Sequence, residues 1–162
     1  MSYDVEKEII LDALLLDDLT GIRNRRSYDE DEKLPVQVGI DHVLLYDINK
    51  EFGNDIGDWI LCKSAEIFTY HTDKVYRLFS DKFIFQLNTN EEAKNILQAI
   101  LTDLSKVNET LIKKTGEKII IRGIAVYQGI AETSNDAFNV FGPHKKEIRE
   151  REFNKALITK SV

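Results

Sequence analysis

Apolar residues recur along the chain with a helical period in four segments. Residues 4–16 carry apolar side chains at spacings of three and four, which is typical of an amphipathic helix. The same spacing predicts longer helices over residues 54–70, where Asn54 or Asp55 can act as the cap, and over residues 90–112. A shorter helical piece fits residues 25–35, since a proline ends it.

Other segments have the composition of strands. Residues 36–48 are rich in Val, Ile and Leu, which predicts a buried strand whose end carries Asp47. Two short apolar runs, residues 75–79 and 83–87, are separated by only three polar residues and predict a hairpin. Residues 118–127 predict another central strand.

The order of these elements predicts the fold class. A last helix begins near Pro143, a residue suited to a first helical turn. Helices then alternate with strands and one hairpin, which predicts an α/β protein of the α+β kind, with a mixed central sheet flanked by helices as in palm domains. We expect a single domain over residues 1–162, in which residues 1–17 form a helix that leads into it.

Composition and charge exclude several function classes. The 162 residues are 43% apolar, enough for one core without disulfides, and the lone Cys62 favours a reducing cytoplasm. The net charge of -6 provides no basic field for DNA or RNA. The apolar run at residues 9–16 is far shorter than the about 20 residues of a membrane span, so membrane insertion is not expected.

Two carboxylates are candidate metal ligands. Asp47 ends a predicted strand and Asp81 lies at the tip of the predicted hairpin. If the two strands are neighbours, these carboxylates can converge on a Mg²⁺ that accompanies a nucleoside triphosphate. Strand ends and turns are also common places for structural Asp residues, so the residues alone leave both interpretations open.

Three motifs give the chain a family resemblance. Residues 17–26 read DDLTGIRNRR and match the D-x-L-T-G-(L/I)-x-N-R-R opening of the GGDEF family, the diguanylate cyclases. Residues 52–58, FGNDIGD, resemble its aromatic-G-H-x-x-G-D element, and residues 77–83, RLFSDKF, stand where the family has R-x-G-G-D-E-F. The chain is identified as a member of this family because the three motifs occur in the right order on suitable elements.

The resemblance implies a site for GTP with Mg²⁺. The metal ligands that it implies are Asp47, Ile48 and Asp81. The substrate-binding positions that it implies are Asp58, which matches a guanine-contacting Asp, and the hairpin residues Phe79 and Ser80.

The hairpin departs from the family pattern. In active members two glycines let the backbone approach the nucleotide closely, which a Cβ would hinder. Phe79 and Ser80 replace them, and Lys82 replaces the glutamate that follows the metal-binding carboxylate. A positive charge beside a cation should impair the assembly of a two-metal site.

Two further departures concern ligand contacts. In active members the glycine of the later G-D pair follows the metal-binding Asp by about sixteen positions, whereas Gly57 follows Asp47 by only ten. The missing piece would hold the family's F-K pair and a guanine-contacting Asn. The inhibitory R-x-x-D motif corresponds to residues 70–73, YHTD, and its Arg is absent, so product feedback there is not expected.

Three functions stay open at this point. The first is a degenerate GGDEF domain without cyclase activity that senses GTP or a cyclic dinucleotide, or serves as a protein-interaction module. The second is a residual Mg²⁺-dependent cyclase that makes cyclic dimeric GMP from two GTP. The third is a ligand-free scaffold, in which the apolar N-terminal helix forms a homodimer or docks on a separate sensor protein.

Overall fold

The computed structural model describes residues 3–42, 45–115 and 124–129. Five helices and four strands follow one another in this part of the chain. The helices are α1 (Tyr3–Leu15), α2 (Arg25–Glu30), α3 (Leu45–Phe52), α4 (Asn54–His71) and α5 (Asn90–Thr115), and the strands are β1 (Val36–His42), β2 (Val75–Phe79), β3 (Lys82–Leu87) and β4 (Ile124–Gly129).

The four strands form one sheet in the order β2-β3-β1-β4. All three strand pairs are antiparallel; Val36 faces Leu87 at one end of the β1–β3 pair and Asp41 faces Lys82 at the other. An isolated parallel bridge joins Arg23 to Tyr76. The sheet with its helices confirms the predicted α+β fold, and β2 with β3 confirms the predicted hairpin.

The helix predictions are confirmed for α1, α2, α4 and α5, within a few residues at their ends. Strand β4 overlaps the predicted strand over residues 118–127, and the first part of that segment lies outside the described residues, as does the helix expected near Pro143. None of the helices in the described ranges is long and apolar enough to cross a bilayer.

The predicted strand over residues 36–48 is wrong in its second half. Strand β1 ends at His42, and α3 begins at Leu45. Leu45 is buried, while Ile48 and Phe52 pack against the cluster around Ile60, so these side chains share one helical face. The error arose because the apolar residues of a strand and of the helix after it form one run.

One face of the sheet packs on α4 and α5 and holds the main core. Phe68 of α4 meets the edges of Phe83 and Phe85 on β3, with ring centroids 5.0 and 5.1 Å apart. Ile40 and Ile100 are fully buried in the same cluster. These edge-to-face contacts fix α4 against the middle of the hairpin.

The opposite face carries a buried polar network. Side chains alternate along a strand, so Gln37 and Gln86 point away from the aromatic core. The Tyr28 hydroxyl donates to Gln37 Oε1 at 3.0 Å, and Gln37 Nε2 donates to Gln86 Oε1 at 3.1 Å. Gln86 Nε2 in turn donates to the Tyr76 hydroxyl at 3.2 Å. The network ties α2 to the sheet across three strands.

The network ends at Asp31, which follows α2. The Tyr76 hydroxyl donates to Asp31 Oδ2 at 2.5 Å, and Arg23 Nη1 donates to the same oxygen at 2.7 Å. Burial and the hydrogen bond to Asp31 raise the pKa of Tyr76 to about 12. The phenol therefore stays a donor at all physiological pH values.

A second polar contact joins the turn after α1 to the hairpin. Asp17 Oδ2 accepts hydrogen bonds from Thr20 N at 2.9 Å and Thr20 Oγ1 at 2.7 Å. Arg77 Nη1 donates to both Asp17 oxygens, at 3.0 and 3.2 Å, while its Nε donates to the Ser80 carbonyl at 3.0 Å. One guanidinium thus holds the N-terminal turn and the hairpin turn together.

The buried network yields a stability prediction. Gln86→Leu leaves the Leu34 amide and the Gln37 side chain without their acceptor, since both donate to Gln86 Oε1. We expect a loss of about 2 to 4 kcal/mol in the free energy of unfolding, measured by urea denaturation. The exposed Gln98→Leu on α5 is the matched control and should change stability by less than about 0.5 kcal/mol. Equal effects of the two variants would contradict this account of the network.

The Asp17 contact yields a pH prediction. Burial acts to raise the pKa of Asp17, but hydrogen bonds from Thr20 and Arg77 outweigh it and hold this pKa below its ordinary value of 3.8. A lowered folded-state pKa contributes stability that is complete above the unfolded value and is lost as the pH falls through the folded value. Asp17→Asn should therefore cost about 1 to 2 kcal/mol at pH 7, and less as the pH falls below 3.8.

Urea unfolding from pH 7 to pH 3 measures this difference, with the exposed neighbour Asp18→Asn as the control. A penalty for Asp17→Asn that stays constant over the whole range would show that the carboxylate charge is not what stabilises the turn.

Candidate functional site

The hairpin turn between β2 and β3 places a non-glycine residue in a conformation that glycine favours. Ser80 has φ 45°, the left-handed conformation that glycine adopts without strain. For a residue with a Cβ this costs about 1 kcal/mol. The Arg77 hydrogen bond to the Ser80 carbonyl helps to hold the turn in place.

The next two residues lie beside the end of β1. The His42 amide donates to the Asp81 carbonyl at 3.0 Å, which extends the β1–β3 pairing to the turn. Asp41 pairs in register with Lys82 and is fully buried. The Lys82 ammonium lies 3.0 Å from Asp81 Oδ1 and 3.9 Å from Asp41 Oδ2. The site therefore consists of two carboxylates with an ammonium between them.

Electrostatics explain this arrangement. A buried carboxylate is costly unless a positive charge accompanies it. Lys82 supplies that charge to Asp41 and also pairs with Asp81, and its own side chain is only 13% exposed. Asp41, Asp81 and Lys82 form a charged trio, whose two carboxylates and one ammonium together carry one net negative formal charge.

The trio does not fit a magnesium ion. Mg²⁺ requires near-octahedral oxygen ligands at about 2.0 to 2.1 Å. An ammonium 3.0 and 3.9 Å from the two carboxylates takes up the space between them and would repel a second cation.

The structure corrects the predicted position of the strand-end carboxylate. Asp47 lies in the first turn of α3, and Ile48 packs in the cluster around Ile60. Neither residue ends β1, as the sequence predicted for Asp47. Asp41 occupies that place on the strand.

With Asp41 at the end of β1, the segment that leads to Gly57 is no longer shorter than in the family. Gly57 follows Asp41 by sixteen positions, the spacing expected in the family, whereas it follows Asp47 by only ten. The segment therefore has room for the guanine-contacting Asn that seemed to be missing. Counting back from Gly57 could have identified Asp41 from the sequence.

Asn49 is the asparagine that this segment supplies. Its Oδ1 is buried and accepts no hydrogen bond from any described residue. A Cβ on Gly57 would lie 1.7 Å from that oxygen, so any larger residue at this position would displace the Asn49 side chain. Asp58, adjacent to Gly57, is exposed. Near this helix contact, an amide and a carboxylate offer acceptors for the donor groups of a guanine edge.

His42 is a buried titratable residue that the sequence did not single out. Its ring meets the edge of Phe83 at 6.0 Å between centroids. Burial lowers the pKa of His42 to about 4, although the nearby Asp81 acts in the opposite direction. The imidazole is therefore neutral at physiological pH and belongs to the core.

The positions of the family's inhibitory motif hold a different contact. Tyr70, where the motif has Arg, is 83% exposed. His71 Nε2 lies 2.6 Å from Asp103 Oδ2 on α5, and this hydrogen bond lowers the pKa of Asp103. These side chains join α4 to α5 and provide no Arg fork for a phosphate.

Comparison with known proteins gives consistent matches. Residues 14–140 match the family model described as diguanylate cyclase, GGDEF domain. The probable diguanylate cyclase DgcI of Escherichia coli K12 is 36% identical over 102 residues, which cover 55% of this chain and only 23% of that protein.

Solved structures have the same fold. A diguanylate cyclase/phosphodiesterase from Caldicellulosiruptor saccharolyticus matches with a TM-score of 0.64 at 14% identity, covering 88% of this chain and 91% of that one. The coiled coil and GGDEF domain of Caulobacter crescentus DgcB, in complex with c-di-GMP, matches at 0.63 and 16% identity, covering 84% and 81%.

The diguanylate cyclase SiaD of Pseudomonas aeruginosa, in complex with its activator SiaC, matches with a TM-score of 0.62 at 17% identity, covering 91% of this chain and 64% of that one. Identities this low show the fold alone. The family model, however, matches more than half of the chain. The chain therefore belongs to the GGDEF domain family of diguanylate cyclases.

Proposed function

We propose that this GGDEF domain does not synthesise cyclic dimeric GMP, and that it acts in signalling as a sensor that binds a guanine nucleotide. The observation that carries the proposal is the position of the Lys82 ammonium, 3.0 Å from Asp81 and 3.9 Å from Asp41. In this proposal Asp41, and not Asp47 or Ile48, is the strand-end residue beside Asp81, and Lys82 lies where the resemblance implies a metal.

The loss of turnover follows from the chemistry of the family reaction. The 3′-hydroxyl of one GTP attacks the α-phosphate of another, the bond to the β-phosphate breaks and pyrophosphate leaves; a divalent cation at the site would supply positive charge to the reacting phosphate oxygens. A lysine can neutralise one charge, but it cannot coordinate phosphate oxygens and activate a hydroxyl as a metal does. Ser80 adds a Cβ where active members have a glycine.

Two polar side chains beside the contact of α3 with α4 support nucleotide binding. Asn49 Oδ1 lacks a hydrogen-bond donor among the described residues, and Asp58 is exposed beside the Asn49–Gly57 contact. Guanine presents two adjacent donors, N1–H and the N2 amino group, to such a pair of acceptors, whereas adenine presents only its N6 amino group. These two residues are the candidates that would distinguish guanine from adenine.

Partner binding is the second function that an observation favours. Helix α1 exposes large apolar side chains, among them Ile9 at 55% and Ile10 at 60%. Exposed apolar side chains in such numbers mark interaction surfaces. A second copy of the chain or a separate sensor protein would cover them, and SiaD, the relative solved with its activator, is a precedent for regulation by a separate protein.

Calorimetric titration tests guanine recognition. We expect GMP to bind and AMP not to bind, because only guanine matches the acceptors of Asn49 and Asp58. Asp58→Ala should weaken GMP binding at least about tenfold, the value of one charge-assisted hydrogen bond. Asp55→Ala removes an exposed carboxylate from the first turn of the same helix and should leave binding unchanged.

Incubation of the protein with GTP and Mg²⁺, followed by chromatography, tests the loss of turnover, and no cyclic dinucleotide should form. Steady formation of cyclic dimeric GMP, or the absence of binding by every guanine nucleotide, would contradict the proposed function.

A further inference from the structure

We propose that Lys82 is a built-in replacement for the divalent cation, so that this domain binds its guanine nucleotide without metal and prefers nucleotides with few phosphates. The nucleotide preference rests on the proposed function. The replacement of the metal rests on the geometry of Asp41, Asp81 and Lys82 alone.

The ammonium is held in place by the sheet. Lys82 begins β3 and pairs in register with Asp41 of β1, so the two side chains leave the same face of neighbouring strands. The side chain of Lys82 is 13% exposed, that of Asp81 17% and that of Asp41 0%. The enclosed ammonium lies 3.0 Å from Asp81 Oδ1 and 3.9 Å from Asp41 Oδ2, and the low local dielectric strengthens attraction between opposite charges this close together.

The net charge of the trio determines how strongly a nucleotide with a given number of phosphates can bind. Two carboxylates and one ammonium leave one negative charge, whereas a site loaded with divalent cations would be positive. Each phosphate that a nucleotide adds brings at least one more negative charge. A negative trio repels that charge, so affinity should fall from GMP to GDP to GTP, and Mg²⁺ should not restore it.

Manganese titration tests the replacement of the metal directly. Mn²⁺ is the probe, and the electron paramagnetic resonance signal of the free ion reports binding. We expect the wild-type protein to leave this signal unchanged at up to about 1 mM Mn²⁺, the range of weak sites. Lys82→Glu removes the ammonium and adds a third carboxylate, so this variant should bind Mn²⁺ at least about tenfold more tightly than the wild-type protein does.

Two further variants test whether the gain in Mn²⁺ affinity depends on position 82 and on Asp41. Lys94→Glu makes the same charge reversal at an exposed position of α5 and should gain no Mn²⁺ site. Asp41→Asn combined with Lys82→Glu should lose the gained site, because a ligand is removed. Circular dichroism monitors folding, and Lys82→Gln, which removes only the charge, takes the place of Lys82→Glu if that variant does not fold.

Mn²⁺ binding by the wild-type protein that Asp81→Asn abolishes would overturn the inference. So would the failure of a folded Lys82→Glu or Lys82→Gln variant to bind Mn²⁺ more tightly than the wild type.

Calorimetry with GMP, GDP and GTP, in EDTA and in Mg²⁺, tests the nucleotide preference. We expect the affinity to fall at least about threefold with each added phosphate, and the Kd of GMP to differ by less than about twofold between the two buffers. Tightest binding by GTP with Mg²⁺ would overturn the inference. If no guanine nucleotide binds, the proposed function is wrong. The manganese titration then still tests whether Lys82 replaces the metal.

Discussion

The buried carboxylate of Asp41 is the constraint on which the rest of the site depends. It lies in the central strand with no exposed surface, so the fold must provide a positive charge beside it. The neighbouring strand provides Lys82, which also reaches Asp81 in the hairpin turn. A carboxylate pair that could serve a metal is thereby used for an internal ion pair.

The surrounding contacts keep this ion pair in register. Arg77 connects the Asp17 turn to the Ser80 carbonyl, one residue before Asp81. On the same face of the sheet, Gln37 and Gln86 fix the pairing of β1 with β3 at the end far from Lys82. A slip of one residue in that pairing would move Lys82 to the aromatic face, so the polar network protects the charge balance of the site.

Much of the fold could be predicted from the sequence, and the misjudged element shows what limits such prediction. Helix α5 and the hairpin have clear periodicity and a short polar turn, which are local signals. The end of β1 lacks such a signal, because the apolar residues of β1 and α3 form one run. The sequence therefore predicts a strand-end carboxylate at Asp47, whereas the structure has Asp41 at the end of β1 and Asp47 in α3.

The contacts of the site needed three-dimensional information. The sequence showed that Lys82 would disturb a metal site, but not that it pairs with Asp41, because that contact depends on strand register. The Asn49–Gly57 contact depends in the same way on how α3 packs on α4. The residue types in the sequence indicate the chemistry of the site, and the packing determines which of these residues contact one another.

Anomalous diffraction from crystals grown with Mn²⁺ and GMP would show directly whether Lys82 occupies the place of the metal. We expect no manganese peak between Asp41 and Asp81, and the Lys82 ammonium within hydrogen-bonding distance of Asp81. A manganese ion bound by both carboxylates, with Lys82 turned away from them, would contradict it.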